Sequence, residues 1–258
     1  MSHVSVLLFH GITPTPRMHS EISSTLFSSC LDLINGLEIP VRSVKECARA
    51  ARPADRTAVS LTFDDGRESD AVVALPELQR RDFRATFFVT TGLVGTQGFL
   101  SWKQAWALVQ AGMEIGSHTC SHPVLTRLAP DELDRELRVS KRELEDRLGQ
   151  SITSLSVPHG FYDARVIAAA VSAGYEHVCV SRPGLNQLPL VAGRPVRRNA
   201  LHRGTLDGAL VHMIEPDRGT LWRWAASYTA RAALARVLPE TQYARVRQLA
   251  MRYLARRR

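Results

Sequence analysis

Short apolar runs alternate with longer amphipathic stretches over most of this chain. Residues 4–9, 57–63 and 85–90 are almost continuously apolar, as expected of strands buried on both faces. Between such runs, residues 69–81 and 130–148 place apolar side chains three and four positions apart, which predicts helices. This order of strand and helix predicts an α/β fold with a parallel sheet, either open or closed into a barrel.

The same pattern extends to the other elements. Additional strands are predicted at 38–43, near residues 113–115, at 152–157, at 177–180 and at 194–198, and additional helices at 20–33, 43–51, 102–111 and 164–173. Ser101 and Asp163 stand where helix caps are expected, and Gly149 where the helix 130–148 should end. Pro76 should distort the helix 69–81 unless the helix restarts there.

Two adjacent acids follow the strand 57–63. Asp64 and Asp65 precede Gly66, which allows a sharp turn. Successive strand side chains point in opposite directions, so the two carboxylates should diverge, and they repel each other unless a cation lies nearby. The alternative interpretation is a simple loop in which one acid caps the helix that starts near Ser69.

Two histidines follow the strand near residue 115. His118 and His122 are four residues apart, so both imidazoles could reach one ion. Two histidines and one carboxylate form a ligand set with open positions, which suits a catalytic divalent metal. An acid pair and a histidine pair, each at a strand end of one domain, favour a shared site.

These motifs resemble those of a known family. The segments 62–66 (TFDDG), 117–122 (SHTCSH) and 158–160 (PHG) are similar to three motifs of the polysaccharide deacetylases, also called the NodB-homology or carbohydrate esterase 4 family. The resemblance covers roughly residues 4–200. It implies a distorted (β/α)7 barrel of the NodB-homology type. It also implies that the protein is a metal-dependent hydrolase that removes N-acetyl groups from an amino sugar or glycan.

The resemblance also implies roles for individual residues. Asp65, His118 and His122 would hold one divalent ion, with zinc expected and cobalt, nickel or manganese as alternatives. The ion would activate water and polarise the acetyl carbonyl, and Asp64 would act as the general base. The substrate-binding residues would be Pro158, His159 and Gly160, with a backbone N–H near His159 and Gly160 holding the oxyanion.

The general acid has three candidates. His10 follows the first strand, and the segment Leu8–Phe9–His10–Gly11 is similar to the amino-terminal motif of poly-N-acetylglucosamine deacetylases, in which a histidine is the acid. His212, in Leu210–Val211–His212, matches the letters of a late family motif but falls in a helical stretch, and His202 lies in a predicted loop. We expect His10 to be the acid.

The chain departs from the family pattern at the third motif. Ser156 stands where the family usually has an arginine that orients the base, and His159 stands where an aromatic residue is usual. Another cation is needed beside the base, and Arg197 or Arg198 could supply it. Arg197 is also expected near the substrate.

The positive charge is confined to the end of the chain. The 258 residues carry a formal net charge of +8, and the segment after Thr220 contains nine arginines and a single acid, so residues 1–220 are neutral overall. This shift predicts a catalytic domain over 1–219 and a basic helical extension over 220–258. The extension either packs on the barrel or contacts a membrane surface, and we expect no nucleic-acid partner.

Cysteine spacing and apolar runs bear on location. Cys30, Cys47, Cys120 and Cys179 are far apart and form no CxxC pair, which favours free thiols in a reducing compartment. No signal peptide is recognisable, and no apolar run approaches the length of a membrane span. These features predict a cytoplasmic protein, with the basic tail as a candidate contact to the inner membrane face.

Three functional hypotheses follow from the sequence. The first is a carbohydrate N-deacetylase. The second is another C–N hydrolase on the same scaffold, acting on a cyclic amide or a formamide. The third is a non-catalytic protein that binds a glycan or a carrier, and the intact acid and histidine pairs count against it.

Overall fold

A computed structural model describes the backbone of residues 2–49, 57–205 and 207–237. The strands of this part are β1 (His3–Phe9), β2 (Ile12–Thr13), β3 (Ile22–Ser23), β4 (Thr57–Phe63), β5 (Ala85–Val89), β6 (Glu114–Ser117), β7 (Ser154–Ser156), β8 (His177–Val180), β9 (Asn186–Gln187), β10 (Pro195–Arg197) and β11 (Asn199–Ala200). The α-helices are α1 (Ser24–Gly36), α2 (Val44–Arg49), α3 (Leu75–Gln79), α4 (Trp102–Gln110), α5 (Pro130–Leu148), α6 (Ala164–Ser172), α7 (Asp207–Ile214) and α8 (Arg218–Val237).

The main sheet curls into a nearly closed barrel. Its strand order is β10-β8-β7-β6-β5-β4-β1-β11, all neighbours along this path are parallel, and β9 pairs antiparallel with β1. The two edge strands, β10 and β11, are separated in sequence by Arg198 alone. The predicted distorted barrel is confirmed, and the two edges of the sheet come close where Arg198 lies.

Side-chain alternation separates the core from the site. Phe9, Phe63 and Phe87 lie near the carboxyl ends of β1, β4 and β5, and their rings stack in sequence with centroids 5.1 and 4.6 Å apart. Phe27 of α1 packs edge-on against Phe9 and Phe63, so this ring layer faces the helices outside the barrel. The next residue along β4, Asp64, therefore points to the opposite side, into the barrel.

Helix ends largely follow the sequence signals. Ser101 and Asp163 accept backbone N–H bonds at the starts of α4 and α6, and Gly149 ends α5 in the left-handed conformation. The helix predicted from residue 20 starts only at Ser24, because the two preceding residues pair with β2 as strand β3.

The helix restarts near Pro76, as the sequence allowed, whereas the strand predicted over 38–43 needed correction. The helix predicted over 69–81 is split into a π-helical turn, Asp70–Ala74, and α3, with Pro76 in the first turn of α3, where a missing N–H costs nothing. The segment 38–43, considered as a strand, contributes to the sheet only through the isolated bridge of Val41 to Val59.

The start of the basic extension is helical. In α8, Leu221, Trp224 and Tyr228 are half-buried, Arg182 lies over the Tyr228 ring, and Trp222 is 73% exposed. Residues 238–258, which hold the rest of the predicted tail, lie outside the described residues, as does the end of the predicted helix 43–51. Among the helices that the structure describes, none has the length and apolar character needed to cross a membrane. All four cysteines are free, as predicted.

Candidate metal and catalytic site

Three side chains converge at the carboxyl end of the barrel. One ligand atom each of Asp65, His118 and His122 lies within 4.8 Å of the others, and Asp65 Oδ1 is 3.6 Å from the Nε2 atom of each histidine. His118 Nδ1 donates to the Ser156 carbonyl at 2.8 Å, which leaves the Nε2 lone pair directed at the acid. One carboxylate oxygen and two imidazole nitrogens form a donor set that fits a divalent transition metal.

The backbone that presents these groups is strained. Asp65, Thr119, His122 and His159 have φ values between 60° and 79°, which side-chain-bearing residues rarely adopt. Such residues cluster at functional sites, where the surrounding contacts hold them in place. The predicted divergence of the two acids is limited, because Asp65 Oδ1 and Asp64 Oδ2 lie 3.6 and 3.8 Å from the same atom, His118 Nε2.

Asp64 is held by a bidentate ion pair. Arg198 Nη1 and Nη2 donate to the two carboxylate oxygens of Asp64 at 2.7 and 2.8 Å, and Ser156 Oγ donates to Asp64 Oδ2 at 3.0 Å. Burial alone would raise the pKa of Asp64, but the Arg198 guanidinium outweighs it and holds that pKa well below its usual range. Asp64 is therefore an ionised carboxylate beside the three-donor cluster, with its Oδ2 atom 3.8 Å from His118 Nε2.

Of the two candidate arginines, Arg198 is the cation beside Asp64. Its side chain is fully buried, and Ser156 Oγ accepts a bond from its Nη2 at 2.7 Å, so the serine and the arginine together fix the Asp64 carboxylate. Arg197 is exposed on β10, and its backbone pairs with the Asn186 side chain. Alternation along the chain turns only one of the two arginines into the barrel, so the structure does not bring Arg197 to Asp64.

Arg67 contacts the second acid. Its Nη2 and Nε donate to Asp65 Oδ2 at 3.0 and 3.2 Å, while Asp65 Oδ1 faces the histidines. Burial would raise the pKa of Asp65, but His118 and Arg67 lower it below the usual value. Both acids are thus ionised in the neutral range, each with its own cation.

The candidate acids lie in different places. His10 follows β1, its Nδ1 is buried without a hydrogen-bond partner in the described structure, and burial lowers the pKa of its imidazole although Asp64 and Asp65 oppose this. His202 lies in the loop after β11, with its ring stacked on His19 at 4.4 Å. His212 is exposed on α7, whose Met213 carbonyl accepts from Ser5 in the first half of β1, far along the strand from the site.

The third motif lies against the histidines, as predicted. The Gly160 N–H, however, is not free to hold an oxyanion. The exposed His159 ring lies 4.7 Å from that of His122, and Pro158 and Gly160 are buried. A Cβ atom on Gly160 would lie 2.3 Å from the Ser181 Cβ, so only glycine fits there. The Gly160 N–H donates to the Val157 carbonyl at 3.0 Å, so that donor is already used within the turn.

Glu136 supports the loop that carries the two histidines, and the sequence did not reveal this contact. It belongs to α5, whose charges resemble a solvated face, yet its carboxylate accepts from the N–H groups of Cys120 and Ser121 at 2.9 Å and from Ser121 Oγ at 2.6 Å. These bonds fix the loop that carries both histidines. Glu136 contacts this loop only because the folded chain brings α5 against it. No local sequence pattern indicates that contact.

We expect Glu136→Gln to weaken metal binding without unfolding the protein. The amide cannot accept all three bonds as strongly as the carboxylate, and loss of such a supporting contact costs about 10–100-fold in metal affinity. Competition with a chromogenic chelator measures the affinity. Glu143→Gln on the same helix is the matched control, and an equal affinity in both variants would contradict the role of Glu136.

Asp70 is a buried acid next to the site. It starts the π-helical turn, it is fully buried, and its two carboxylate oxygens have no hydrogen-bond partner in the described structure. Burial, together with the negative charge of Asp65, raises the pKa of Asp70 well above its usual value. The protonated Asp70 carboxyl therefore stabilises the folded state relative to the ionised one. This contribution is fully present below the unfolded-state pKa of Asp70 and is lost as the pH rises through its folded-state pKa.

Asp70→Asn should therefore raise the melting temperature at neutral pH, because the amide never carries the buried charge. The gain should shrink in acid, where Asp70 is protonated. Thermal melts at several pH values measure this, and Asp82→Asn at an exposed position is the control. A variant that is less stable at neutral pH would show that the carboxylate is paired in solution.

Comparison with known proteins places the chain in a family. The profile of the family described as "Polysaccharide deacetylase" matches residues 51–178. The chain is 31% identical over 158 residues to the chitooligosaccharide deacetylase of Bradyrhizobium sp.. This alignment covers 57% of this chain and 70% of that protein. The chain belongs to the polysaccharide deacetylase family.

Other relatives agree with this assignment. Chitin deacetylase 1 of Cryptococcus neoformans is 31% identical over 120 residues, which is 46% of this chain and 25% of that protein. The chain spans half or less of the length of the first curated relatives it matches. The structure of the Streptococcus pyogenes deacetylase PplD in complex with acetate superposes with a TM-score of 0.75 at 27% identity, covering 83% of this chain and 99% of that one.

Proposed function

We propose that this protein is a metal-dependent carbohydrate N-deacetylase, which hydrolyses the N-acetyl group of an amino sugar or glycan to acetate and a free amine. The observation that carries the proposal is the three-donor cluster of Asp65, His118 and His122 beside the ionised Asp64. The family assignment and the likeness to the acetate complex of PplD support the same reaction.

A divalent ion held by the cluster would supply Lewis-acid polarisation of the acetyl carbonyl and a lowered pKa of water. We expect zinc, because the donor set combines one oxygen and two nitrogens, and cobalt, nickel or manganese are alternatives. Elemental analysis of protein purified without chelator identifies the ion.

The chain's own residues handle the protons. Asp64, kept ionised by Arg198, accepts a proton from the attacking water as general base. His10 gives a proton to the leaving amine, so that the C–N bond breaks and acetate and amine are released. His159 and Pro158 border the space beside His122 and are proposed to contact the substrate.

His10 would enter the reaction uncharged at neutral pH. Burial lowers the pKa of His10, so the imidazole must first take a proton from solvent to serve as the acid, and activity should fall as the pH rises above that lowered pKa. His10→Gln should lower kcat about 10²–10⁴-fold with metal content unchanged. His202→Gln and His212→Gln are the matched comparisons, and a loss of kcat in His202→Gln alone would assign the acid to His202.

The test of the proposed function is acetate release from a panel of N-acetylated sugars and their oligomers, with and without added metal. A panel of cyclic amides and formamides is run in parallel. Acetate release that depends on metal supports the proposal. Turnover of the cyclic amides or formamides alone would replace it with the other C–N hydrolase, and binding without turnover would favour a glycan-binding protein.

We also propose that the basic extension brings the protein to anionic membranes from the cytoplasmic side. The support is the +8 charge after Thr220 and the exposure of Trp222 next to Arg223 at the start of α8. Each arginine near the surface contributes about 1 kcal/mol, screened by salt. Vesicle co-sedimentation of the full chain at low and high salt tests this, and absence of binding at low salt would favour simple packing of the extension.

A further inference from the structure

The two adjacent acids are paired with arginines in different ways. Arg198 directs one nitrogen to each carboxylate oxygen of Asp64, so both oxygens of that acid are occupied. Arg67 instead directs Nε and Nη2 to the same oxygen, Asp65 Oδ2, at 3.2 and 3.0 Å. The other oxygen, Asp65 Oδ1, lies 3.6 Å from the Nε2 atom of each cluster histidine. Asp65 therefore turns one oxygen to the guanidinium and the other to the donor cluster.

Arg67 is itself held from its other side. Its Cζ atom lies 4.5 Å from the centroid of the Phe99 ring, and its backbone forms an isolated antiparallel bridge to the same residue. The next residue along that segment, Leu100, donates its N–H to the Gly66 carbonyl at 2.9 Å. The aromatic face and these backbone contacts limit the positions that the guanidinium can take. Arg67 is therefore a fixed partner of Asp65.

The way in which Asp65 binds an ion determines how many positions on that ion stay open. A carboxylate can bind a cation through one oxygen or through both. With both oxygens of Asp65 and two imidazoles, the protein would supply four donors, which is the full set of a closed structural zinc site. With Oδ1 alone it supplies three donors, and a catalytic site needs the remaining position for water or substrate.

We propose that Arg67 is a positioning residue that keeps Asp65 Oδ2 from binding the ion, so that Asp65 contributes Oδ1 alone and one position stays open. The proposal rests on the proposed deacetylase function, and it adds to the site a residue that lies outside the three motifs. Two hydrogen bonds from a charged, planar donor hold Oδ2 more strongly than bonds from a neutral group would. The fixed guanidinium thereby preserves the open position that hydrolysis requires.

Binding of a neutral ligand to the cobalt-loaded protein tests whether that position is open. Imidazole is the probe, at a pH where it is uncharged, so that the charge of Arg67 does not attract it. The visible absorption of cobalt(II) reports imidazole binding. Arg67→Met should retain one cobalt per chain and bind imidazole about tenfold more weakly, because Asp65 Oδ2 then occupies the position. Arg67→Lys keeps a charged donor for Oδ2 and should regain part of the imidazole affinity.

Arg135→Met, at an exposed position of α5, is the matched control and should bind cobalt and imidazole as the wild type does. Wild-type imidazole affinity in Arg67→Met would overturn the proposal. Loss of cobalt from Arg67→Met would overturn it too, since Arg67 would then be needed to bind the ion itself. A wild type that binds no cobalt would reject the metal-dependent deacetylase as well. If the imidazole difference is found but no substrate releases acetate, Arg67 keeps this role and only the deacetylase proposal fails.

Discussion

Replacement of Arg198 by methionine is expected to destabilise the protein severely. The substitution keeps most of the apolar stem but leaves the Asp64 carboxylate buried without its cation, and breaking a buried ion pair in this way costs about 3–5 kcal/mol. Urea denaturation monitored by circular dichroism measures the free energy of unfolding. The loss should be largest above the unfolded-state pKa of Asp64, about 3.9, and should shrink as the pH falls below it.

The neighbouring arginine is a built-in control. Arg197→Met removes the same group from an exposed position on the adjacent residue, and we expect a change within about 0.5 kcal/mol. Equal destabilisation by both substitutions would contradict the assignment of Arg198 as the partner of the base. Arg198→Met should also raise the pKa of Asp64. On acidification, any remaining activity should therefore begin to fall at a higher pH than in the wild type.

His118→Ala/His122→Ala is expected to abolish metal binding. The double substitution leaves Asp65 as the remaining member of the three-donor cluster, and one carboxylate does not hold a divalent transition metal against a chelator. Elemental analysis after gel filtration measures metal content, which should fall from about one equivalent per chain to background. Acetate release should fall with it.

His212→Ala is the matched control, because it removes an imidazole from the exposed face of α7, away from the site. It should retain metal and activity. Full metal occupancy in the double variant would show that the ion binds elsewhere. Loss of metal in His212→Ala would show that metal binding depends on a histidine outside the cluster.

The elements that position the site could be predicted from the sequence because the signals are local. The apolar run 57–63 followed by Asp64, Asp65 and Gly66 defines a strand, its end and a turn, and the histidines follow the strand β6 in the same way. In a parallel barrel all carboxyl ends of strands lie on one side, so residues far apart in sequence must meet there. The helix bounds of α5 follow from Pro130 and Gly149 for the same local reason.

The supporting residues could not be predicted, because their roles depend on contacts between distant segments. Nothing in the sequence around Arg197 and Arg198 tells which one enters the barrel, since that depends on where the short strands β10 and β11 begin and end. Glu136 looks like one more acid on a solvated helix until the loop after β6 folds onto it. Asp70 resembles a helix-starting acid, and only the tertiary structure buries it.

Acetate release by the wild type and by Asp64→Asn, both loaded with the same metal, tests the central claim most directly. The account predicts that both proteins hold one ion per chain, that the wild type releases acetate from an N-acetylated glycan oligomer, and that the variant is slower by about 10²–10⁴-fold because its amide cannot accept the proton of water. Equal rates in the two proteins at equal metal content would contradict it.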